Sequence, residues 1–426
     1  MKVDDIQPLL AEYLGKQRWF AGSPPASAEI VEHAELEDRL HWLLVEASGA
    51  RYQLLIGTAD GLAPDFLHGH ENEVLGAVDG DLCYDALLDP DLAKALLARL
   101  APQEEVARVR PMGAEQSNTS LVFDERLVLK VFRRIHSGPN PDIEVTGALA
   151  EAGFEHVAAP VAAWEQDGTH LAVVQPYLAG GTDGWALALT SLRDLYGSEC
   201  DDPRDCGGDF GAEARRLGQV TAQMHVALAS ALGSGTANTH EWAGLMERQL
   251  ERLAAQEPWN RAANDVFERL RSMESPGLAL RVHGDYHLGQ VMRTDTGWFV
   301  LDFEGEPARP LDERRERSSP LKDVAGMLRS FHYATAVARR EREEFEAEAL
   351  AAKAAAWERR NRDAFLEGYF GTEGIAELLP PAADDILVAL AAWELDKAVY
   401  EVGYERDHRP DWVEIPQTAI TRLLGG

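Results

Sequence analysis

Two short stretches gather the residue types that chemistry needs. Between apolar runs lies Val282-His283-Gly284-Asp285-Tyr286-His287-Leu288-Gly289-Gln290-Val291. After a turn-like insert at 294–297 comes Trp298-Phe299-Val300-Leu301-Asp302-Phe303-Glu304-Gly305-Glu306. Asp285 sits in a loop entered from an apolar segment, Gln290 follows on the same loop, and Asp302 ends a buried strand at a Phe-Glu-Gly turn. A carboxylate and an amide on one loop, with a carboxylate at a neighbouring strand end, form an all-oxygen set. Hard Mg²⁺ takes such ligands and fills its octahedron with waters and phosphate. The other carboxylate can accept a hydroxyl proton and align a nucleophile. Taken singly, Asp285 reads as a turn cap and Asp302 as a surface strand end; their joint spacing with His283, Gly284 and Gln290 favours a site. His283 and His287 have the spacing of metal ligands on a helix, but Gly284 argues against a helix there. They are expected to brace the loop through hydrogen bonds.

The elements that must position this site follow from periodicity. Ile6, Leu9, Leu10, Tyr13 and Leu14 give a helix over Asp4–Leu14, ending at Gly15 before Gln17-Arg18-Trp19-Phe20. Strands at His41–Ala47 and Arg51–Gly57 flank Ser48-Gly49-Ala50 as a hairpin, and 91–100 reads as a helix. A second unit begins near Arg108, with strands at 121–123 and 127–132 turning at Asp124-Glu125-Arg126. A helix over Pro141–Ala152 and an apolar strand over Leu171–Tyr177 follow. Beyond Gly180 the chain turns helical. Leu217, Val220, Met224 and Leu228 mark a core stripe that Gly233 ends, leaving Met224 and His225 no ligand role. Ala, Glu and Arg dominate Arg340–Arg359, which predicts one long solvated helix. A strand-rich first part and a helical second part suggest two lobes with a cleft between them.

The chain has 426 residues, with Lys+Arg 41 against Asp+Glu 72 and a formal net charge of −31. That length fits two or three domains or one large two-lobed enzyme. So acidic a surface repels phosphate backbones and anionic lipid headgroups, which weighs against nucleic-acid and membrane partners. Any bound polyanion must meet a local basic site. No run approaches the ~18–20 apolar residues of a membrane helix, and the first residues lack a signal-peptide core, so a cytoplasmic location is expected. Cys83, Cys200 and Cys206 are too few for a disulfide framework or a four-cysteine zinc site. Cys200 and Cys206 bracket a surface loop and are expected as free thiols, an incidental loop disulfide being the alternative.

The His283-Gly284-Asp285-Tyr286-His287 segment with Gln290, followed by Asp302-Phe303-Glu304-Gly305, resembles the catalytic and metal motifs of the aminoglycoside phosphotransferase-like kinases. That superfamily usually has Asn where Gln290 stands, one methylene shorter. Further segments are similar to the maltokinase branch: QRWFAG (17–22), GAEQSNTS (113–120), LKVFRR (129–134), NPDIE (140–144), HLGQV (287–291), DFEGEP (302–307), DVAGMLRSF (323–331) and ELDKAVYEVGYE (394–405) with Arg409-Pro410 and Trp412. The resemblance runs in order along nearly the whole chain. It implies an α+β, bilobal protein-kinase-like fold with an N-terminal cap (1–100), a β-rich N-lobe (101–178) and a mostly helical C-lobe (179–426).

The resemblance also implies an ATP- and Mg²⁺-dependent sugar kinase. Asp285 would be the catalytic base, and Gln290 and Asp302 the metal ligands. Lys130 would neutralise the nucleotide phosphates with Glu144 as its ion-pair partner. Gln116, Ser117, Asn118 and Thr119 occupy the phosphate-loop position, which is poor in glycine here. Gln175 and Tyr177 fall where the backbone would bind adenine. Asp323 would brace the catalytic loop. Glu304 would reach metal or sugar, or else shape the turn, and Glu306 stands near the site. A catalytically silent scaffold of the same fold is disfavoured by the retained Lys130, Glu144, Asp285 and Asp302.

Sugar sites pair carboxylates and amides with an aromatic face. Glu394, Lys397 and Glu401 lie one turn apart on a C-terminal helix, with Tyr400 adjacent. Exposed intrahelical ion pairs are the alternative reading of that face. Arg409 and Trp412 either close the site or pack the C-terminal tail. Maltose, giving maltose 1-phosphate, stands ahead through the resemblance at 17–22 and 302–307. Glucosamine, giving glucosamine 6-phosphate, is the rival, because Glu401, Glu405, Asp407 and Asp411 would serve an ammonium. Trp19 and Phe20 are expected to anchor the cap in a small core. The resemblance also gives the cap an alternative use, as a docking face for a trehalose-converting enzyme.

Overall fold

The computed structural model describes residues 3–20, 22–60, 64–113, 118–206, 208–255, 257–306, 311–341 and 350–425. The chain divides into two compact units, Met1–Glu144 with Ala158–Ala179, and Val145–Val157 with Gly180–Gly426.

The first unit opens with α1 (Val3–Lys16) and a meander of β1 (Glu29–Glu37), β2 (Leu40–Ala47) and β3 (Ala50–Asp60). The β2–β3 connection is two residues long, with Ser48 at φ 52 and Gly49 at φ 73, the left-handed pair whose twist matches that of the strands. The sheet runs β1-β2-β3-β5-β4, using β4 (Val74–Val78) and β5 (Asp81–Asp85). Strand alternation splits its side chains cleanly. Leu43, Val45, Leu54 and Ile56 bury against α1, where Trp19 and Phe20 join the core as expected. Trp42, Leu44 and Leu55 face the other way, into a core shared with helix α2 (Pro90–Leu100) and a second sheet.

That second sheet runs β10-β11-β8-β7-β6: β6 (Val109–Pro111), β7 (Asn118–Phe123), β8 (Leu127–Phe132), β10 (Ala162–Gln166) and β11 (Thr169–Pro176). The short β9 (Arg134–Ile135) pairs back onto β3 at Arg51 and Tyr52. Gln53, fully buried on β3, accepts from Trp42 Nε1 at 2.9 Å and donates to the carbonyls of Phe132 (2.9 Å) and Leu171 (2.8 Å). The boundary expected at 100/101 therefore runs through one continuous core. Helix α3 (Pro141–Glu151) starts in this unit and ends in the next.

The second unit is helical: α4 (Gly184–Gly197), α5 (Gly211–Leu232), α6 (Thr239–Ala254), α7 (Asn260–Arg271), α8 (Leu311–Arg314), α9 (Leu321–Arg340), α10 (Ala351–Phe370), α11 (Ala383–His408) and α12 (Glu414–Gly425). Short strands β12 (Thr182–Asp183), β15 (Val291–Thr294) and β16 (Gly297–Val300) form one small sheet, and β13 (Ser234–Thr236) pairs with β14 (Leu278–Leu280). The α5 stripe Leu217, Val220, Met224 and Leu228 is buried. The single solvated helix expected over Arg340–Arg359 is not formed. Glu341 and Leu350 are in turns, 342–349 lie outside the described residues, and α10 begins at Ala351. Trp357 is fully buried against Phe210 and Phe331, so packing has overridden a composition that reads as solvated. All three cysteines are free thiols. No helix among the described residues is long and apolar enough to cross a membrane.

Candidate functional site

The loop after β14 is fixed from behind by two helices. Asp323, in the first turn of α9, accepts the backbone N–H of His283 (2.8 Å) and of Gly284 (2.9 Å). Its third donor is His225 on α5, with Nε2 at 3.1 Å; the other ring nitrogen meets the Tyr369 hydroxyl at 2.8 Å. Burial pushes the Asp323 carboxyl up, but His225 and the loop N–H groups outweigh it and hold the group below its usual value. Gly284 sits at φ 85, a conformation that favours glycine, and from it the chain turns into Asp285. Three residues after Asp323, Gly326 faces Tyr286 so closely that a Cβ would lie 2.5 Å from the Tyr286 carbonyl oxygen. Thr221 meets the Tyr286 hydroxyl at 2.9 Å, and Leu288 N–H donates to Ser330 at 3.1 Å.

The two loop histidines brace it as expected. His283 Nδ1 accepts from Asp285 N–H at 3.3 Å, and its Nε2 donates to the Leu301 carbonyl at 2.8 Å. His287 Nδ1 accepts from Gly289 N–H at 3.0 Å; burial pushes this imidazole down to about 4, so it is neutral at pH 7.

Asp285 Oδ1 accepts from Lys397 Nζ at 2.9 Å, and the same ammonium donates to Glu306 at 2.8 Å. Burial pushes the Asp285 carboxyl up, yet the Lys397 charge outweighs it and the group lies below its ordinary value. Burial likewise works against the Lys397 ammonium, and Glu306 and Asp285 more than reverse it. The ammonium also stands 4.9 Å from the Tyr400 ring centre.

Gln290 Nε2 donates to Asp302 Oδ2 at 3.2 Å, and Leu301 N–H donates to the Gln290 carbonyl at 2.9 Å, so the two sequence stretches converge. Asp302 adopts φ 61, a left-handed conformation that Asp tolerates better than most residues. Carboxylate and amide oxygens are hard donors, and this pair fits Mg²⁺. Among the described residues no group of three or more His, Cys, Asp or Glu could hold a metal, so a cation here would complete its shell from water and phosphate.

Of the α11 face read as a sugar contact, Lys397 reaches the loop with Tyr400 beside it. Glu394 and Glu401 need correcting. Glu394 is 4% exposed, with both oxygens on Arg362 at 2.8 Å, and Glu401 pairs with Arg329. Carboxylates this deep must be paired, and their partners come from neighbouring helices, not from their own. Arg409 pairs with Glu405 and lies 4.5 Å over Trp412, which stacks on Tyr333, so both pack the C-terminal tail. Glu304 lies at the turn, its carbonyl accepting from Arg314 at 3.4 Å.

In the first unit, Lys130 is half-buried on β8 with its ammonium 5.8 Å from the Phe132 ring centre, and Glu144 is exposed in the first turn of α3. Asn118 and Thr119 open β7, the Thr119 hydroxyl accepting from Arg133 Nε at 2.8 Å. Gln116 and Ser117 lie outside the described residues. Gln175 sits on β11 opposite Val128, and Tyr177 takes an Arg110 guanidinium on its hydroxyl at 3.2 Å.

A cavity of about 480 Å³ in the second unit opens on Gly284, Gly305 and Glu306. Trp242 and Trp393 line it, with acids Glu241, Glu313, Glu316 and Asp396 against Arg314, Arg317 and Lys322. Sequence reasoning missed Glu241, Trp242 and Asp396, although the acid–aromatic pair just after the Asn238 cap was a readable signal. It also gave His225 no role beyond the core of α5 and did not single out Thr221. Their spacing, one helical turn apart in an otherwise apolar stripe, puts both on one face of α5, from which Thr221 meets Tyr286 and His225 meets Asp323 and Tyr369.

Residues 13–89 match the family model described as the maltokinase N-terminal cap domain. The chain is 30% identical over 355 residues to a glucosamine kinase of Streptacidiphilus jiangxiensis, covering 79% of this chain and 77% of that protein. It is 26% identical over 335 residues to a glucosamine kinase of Mycolicibacterium smegmatis, covering 74% and 79%. A solved glucosamine kinase, in complex with glucosamine, ADP and inorganic phosphate, shares the fold at a TM-score of 0.70 and 24% identity, over 97% of this chain and 99% of that one.

Proposed function

The chain belongs to the sugar kinase family that includes the glucosamine kinases, and on that premise we propose that it moves the terminal phosphoryl group of ATP to the 6-hydroxyl of glucosamine. The observation that carries this reading is Asp285, its loop clamped by Asp323 and its carboxylate bridged through Lys397 to Glu306, which with Gly284 lines an acid-rich cavity. The hydroxyl oxygen bonds to phosphorus, the bond from phosphorus to the leaving ADP oxygen breaks, and Asp285 takes the hydroxyl proton. Its lowered carboxyl makes it a weak base, which suits a loose transition state in which the hydroxyl is aligned more than ionised. Gln290 and Asp302 would hold Mg²⁺, which supplies positive charge to the phosphate oxygens. In the first unit, Lys130 is the proposed phosphate-neutralising group, with Glu144 as partner, Asn118 and Thr119 in the phosphate loop, and Gln175 and Tyr177 at the adenine position.

An amino sugar is placed ahead of maltose, reversing the order drawn from the sequence, because the cavity carries more acids than bases and its relatives are glucosamine kinases. Trp242 and Trp393, 5% and 6% exposed, form the aromatic part of its wall. Maltose is the second reading, favoured by the match to the maltokinase cap. A cytoplasmic setting, where ATP is at hand, belongs to the same proposal, as does a small sugar as partner in place of nucleic acid or membrane. Docking on a trehalose-converting enzyme is left out of it; Trp19 and Phe20, each 8% exposed, belong to the cap core.

ADP release with Mg²⁺ and a panel of glucosamine, maltose, glucose and an aminoglycoside tests the substrate. Glucosamine is expected to turn over fastest; a higher kcat/KM for maltose reverses the order. Asp285→Asn should lower turnover by about 10²–10⁴-fold with nucleotide affinity kept, and a variant retaining a tenth of wild-type rate removes Asp285 as the base.

A further inference from the structure

Helix α5 buries two polar residues, Thr221 and His225, at 0% exposure each within its apolar stripe. Burying such groups without partners forfeits their hydration with nothing in return, so both ends of the His225 ring have to be engaged. They are: the Tyr369 hydroxyl of α10 lies 2.8 Å from Nδ1, and Asp323 Oδ2 lies 3.1 Å from Nε2. The Asp323 carboxylate only accepts, so the imidazole N–H stands on Nε2, and Nδ1 of the neutral ring accepts from the Tyr369 hydroxyl. Asp323 Oδ2 thereby takes two donors, His225 and the His283 N–H, while Oδ1 takes the Gly284 N–H. The imidazole N–H is the one side-chain donor of these three, so its position bears on the direction in which the carboxylate meets the loop. Asp285 is the next residue along that backbone.

We infer that His225 is a positioning residue for phosphoryl transfer: held between Tyr369 and Asp323, it orients the Asp323 carboxylate and so helps to set the backbone from which Asp285 projects. It touches neither sugar nor nucleotide. The relay joins α5, α10 and α9 to the catalytic loop, and it is separate from the Lys397–Glu306 contact on the Asp285 side chain. The inference rests on the kinase reading for its consequence in rate, though the relay itself is a property of the fold.

The test compares His225→Phe, His225→Asn, His225→Gln and Tyr369→Phe in the full chain. Gln carries its amide nitrogen close to where the imidazole Nε2–H stands; Asn carries it near Nδ1. In His225→Phe and His225→Asn, kcat should fall by about 10–100-fold with both KM values little changed, the cost of displacing a reacting group by ~1 Å. His225→Gln should recover most of that loss, and Tyr369→Phe should lose less than His225→Phe. Hydrogen exchange at His283 and Gly284 should quicken by about tenfold in His225→Phe but not in His225→Gln, a readout that needs no substrate. A folded His225→Phe with wild-type kcat and unchanged exchange overturns the inference, as does an Asn variant that performs as well as Gln. If His225→Phe does not fold, Tyr369→Phe and the Gln–Asn contrast decide it. A wild-type protein that releases no ADP with any sugar would instead sink the kinase reading, while the exchange comparison would still decide the relay.

Discussion

Lys397 and Asp285 meet at 2.9 Å, so the proposed base carries an ammonium on one of its two oxygens, and Glu306 holds that ammonium from the other side at 2.8 Å. The contact on Oδ1 thereby neutralises the carboxylate that the proposed reaction uses to align a hydroxyl.

Lys397→Met should therefore change the pH dependence. Burial raises the Asp285 carboxyl and Lys397 overcomes it, so without the ammonium the group titrates higher. Activity needs the deprotonated form and is lost as pH falls through the folded-state value. The acid limb of kcat/KM should move to higher pH in the variant, alongside a lower maximal rate. A pH–rate profile whose acid limb stays in place would separate Lys397 from control of Asp285.

Gly326→Ala tests how closely α9 must approach the loop. The added methyl would stand 2.5 Å from the Tyr286 carbonyl, a backbone atom that cannot swing aside. Overpacking of this kind costs about 1–3 kcal/mol. Denaturant melts should show that loss, and kcat should fall with it because the displaced backbone leads into Asp285. Wild-type stability and rate together would mean the loop shifts freely.

Glu358 links α10 to α12 and α9: it takes Arg422 through both oxygens (2.9 and 2.6 Å) and His332 at 3.1 Å. Burial raises its carboxyl, but these partners hold it far below the usual glutamate value. Its charge thus contributes stability that is complete above the ordinary pKa of about 4.3 and fades as pH falls through the lowered native value. Glu358→Gln should cost about 1–3 kcal/mol at pH 7, discounted because Arg422 is half-exposed, and should flatten the acid side of the stability curve. Urea midpoints across pH 3–7 measure both; parallel curves for the two proteins would contradict the assignment.

Asp302→Asn and Gln290→Ala should raise the Mg²⁺ concentration needed for half-maximal rate. For Asp302→Asn the rise should exceed the ~10–100-fold that loss of an outer partner of a metal ligand costs. Titrating Mg²⁺ at fixed ATP reads this directly, and an unchanged midpoint in Asp302→Asn would remove that residue from the metal site.

The bracing of the loop at 283–290 and its meeting with Asp302 were legible because their logic is local: the histidines and Gln290 lie on one short segment, and Asp302 follows one hairpin later. Asp323 was legible only through a family likeness, since its partners His283 and Gly284 are far from it in sequence. The α11 face shows where spacing stops being informative. Glu394, Lys397 and Glu401 do share a helical side, yet their partners Arg362, Asp285 and Arg329 come from three other segments, and spacing along one helix says nothing of them. His225 was hidden for the opposite reason: in a sequence a buried histidine within an apolar stripe looks like ordinary packing. The helix expected over 340–359 failed because composition reports propensity, whereas Trp357 reports where the helix must dock.

The three hydrogen bonds of Gln53 set the portable border of the cap. Cutting the chain after residue 100 would strip Phe132 and Leu171 of a donor and bare Leu121, Leu129 and Val131 to water. A chimera that swaps caps among relatives must carry Trp42, Gln53 and Leu55 together with their counterparts on β7, β8 and β11. Transplanting 13–89 alone should yield an insoluble protein, whatever the donor.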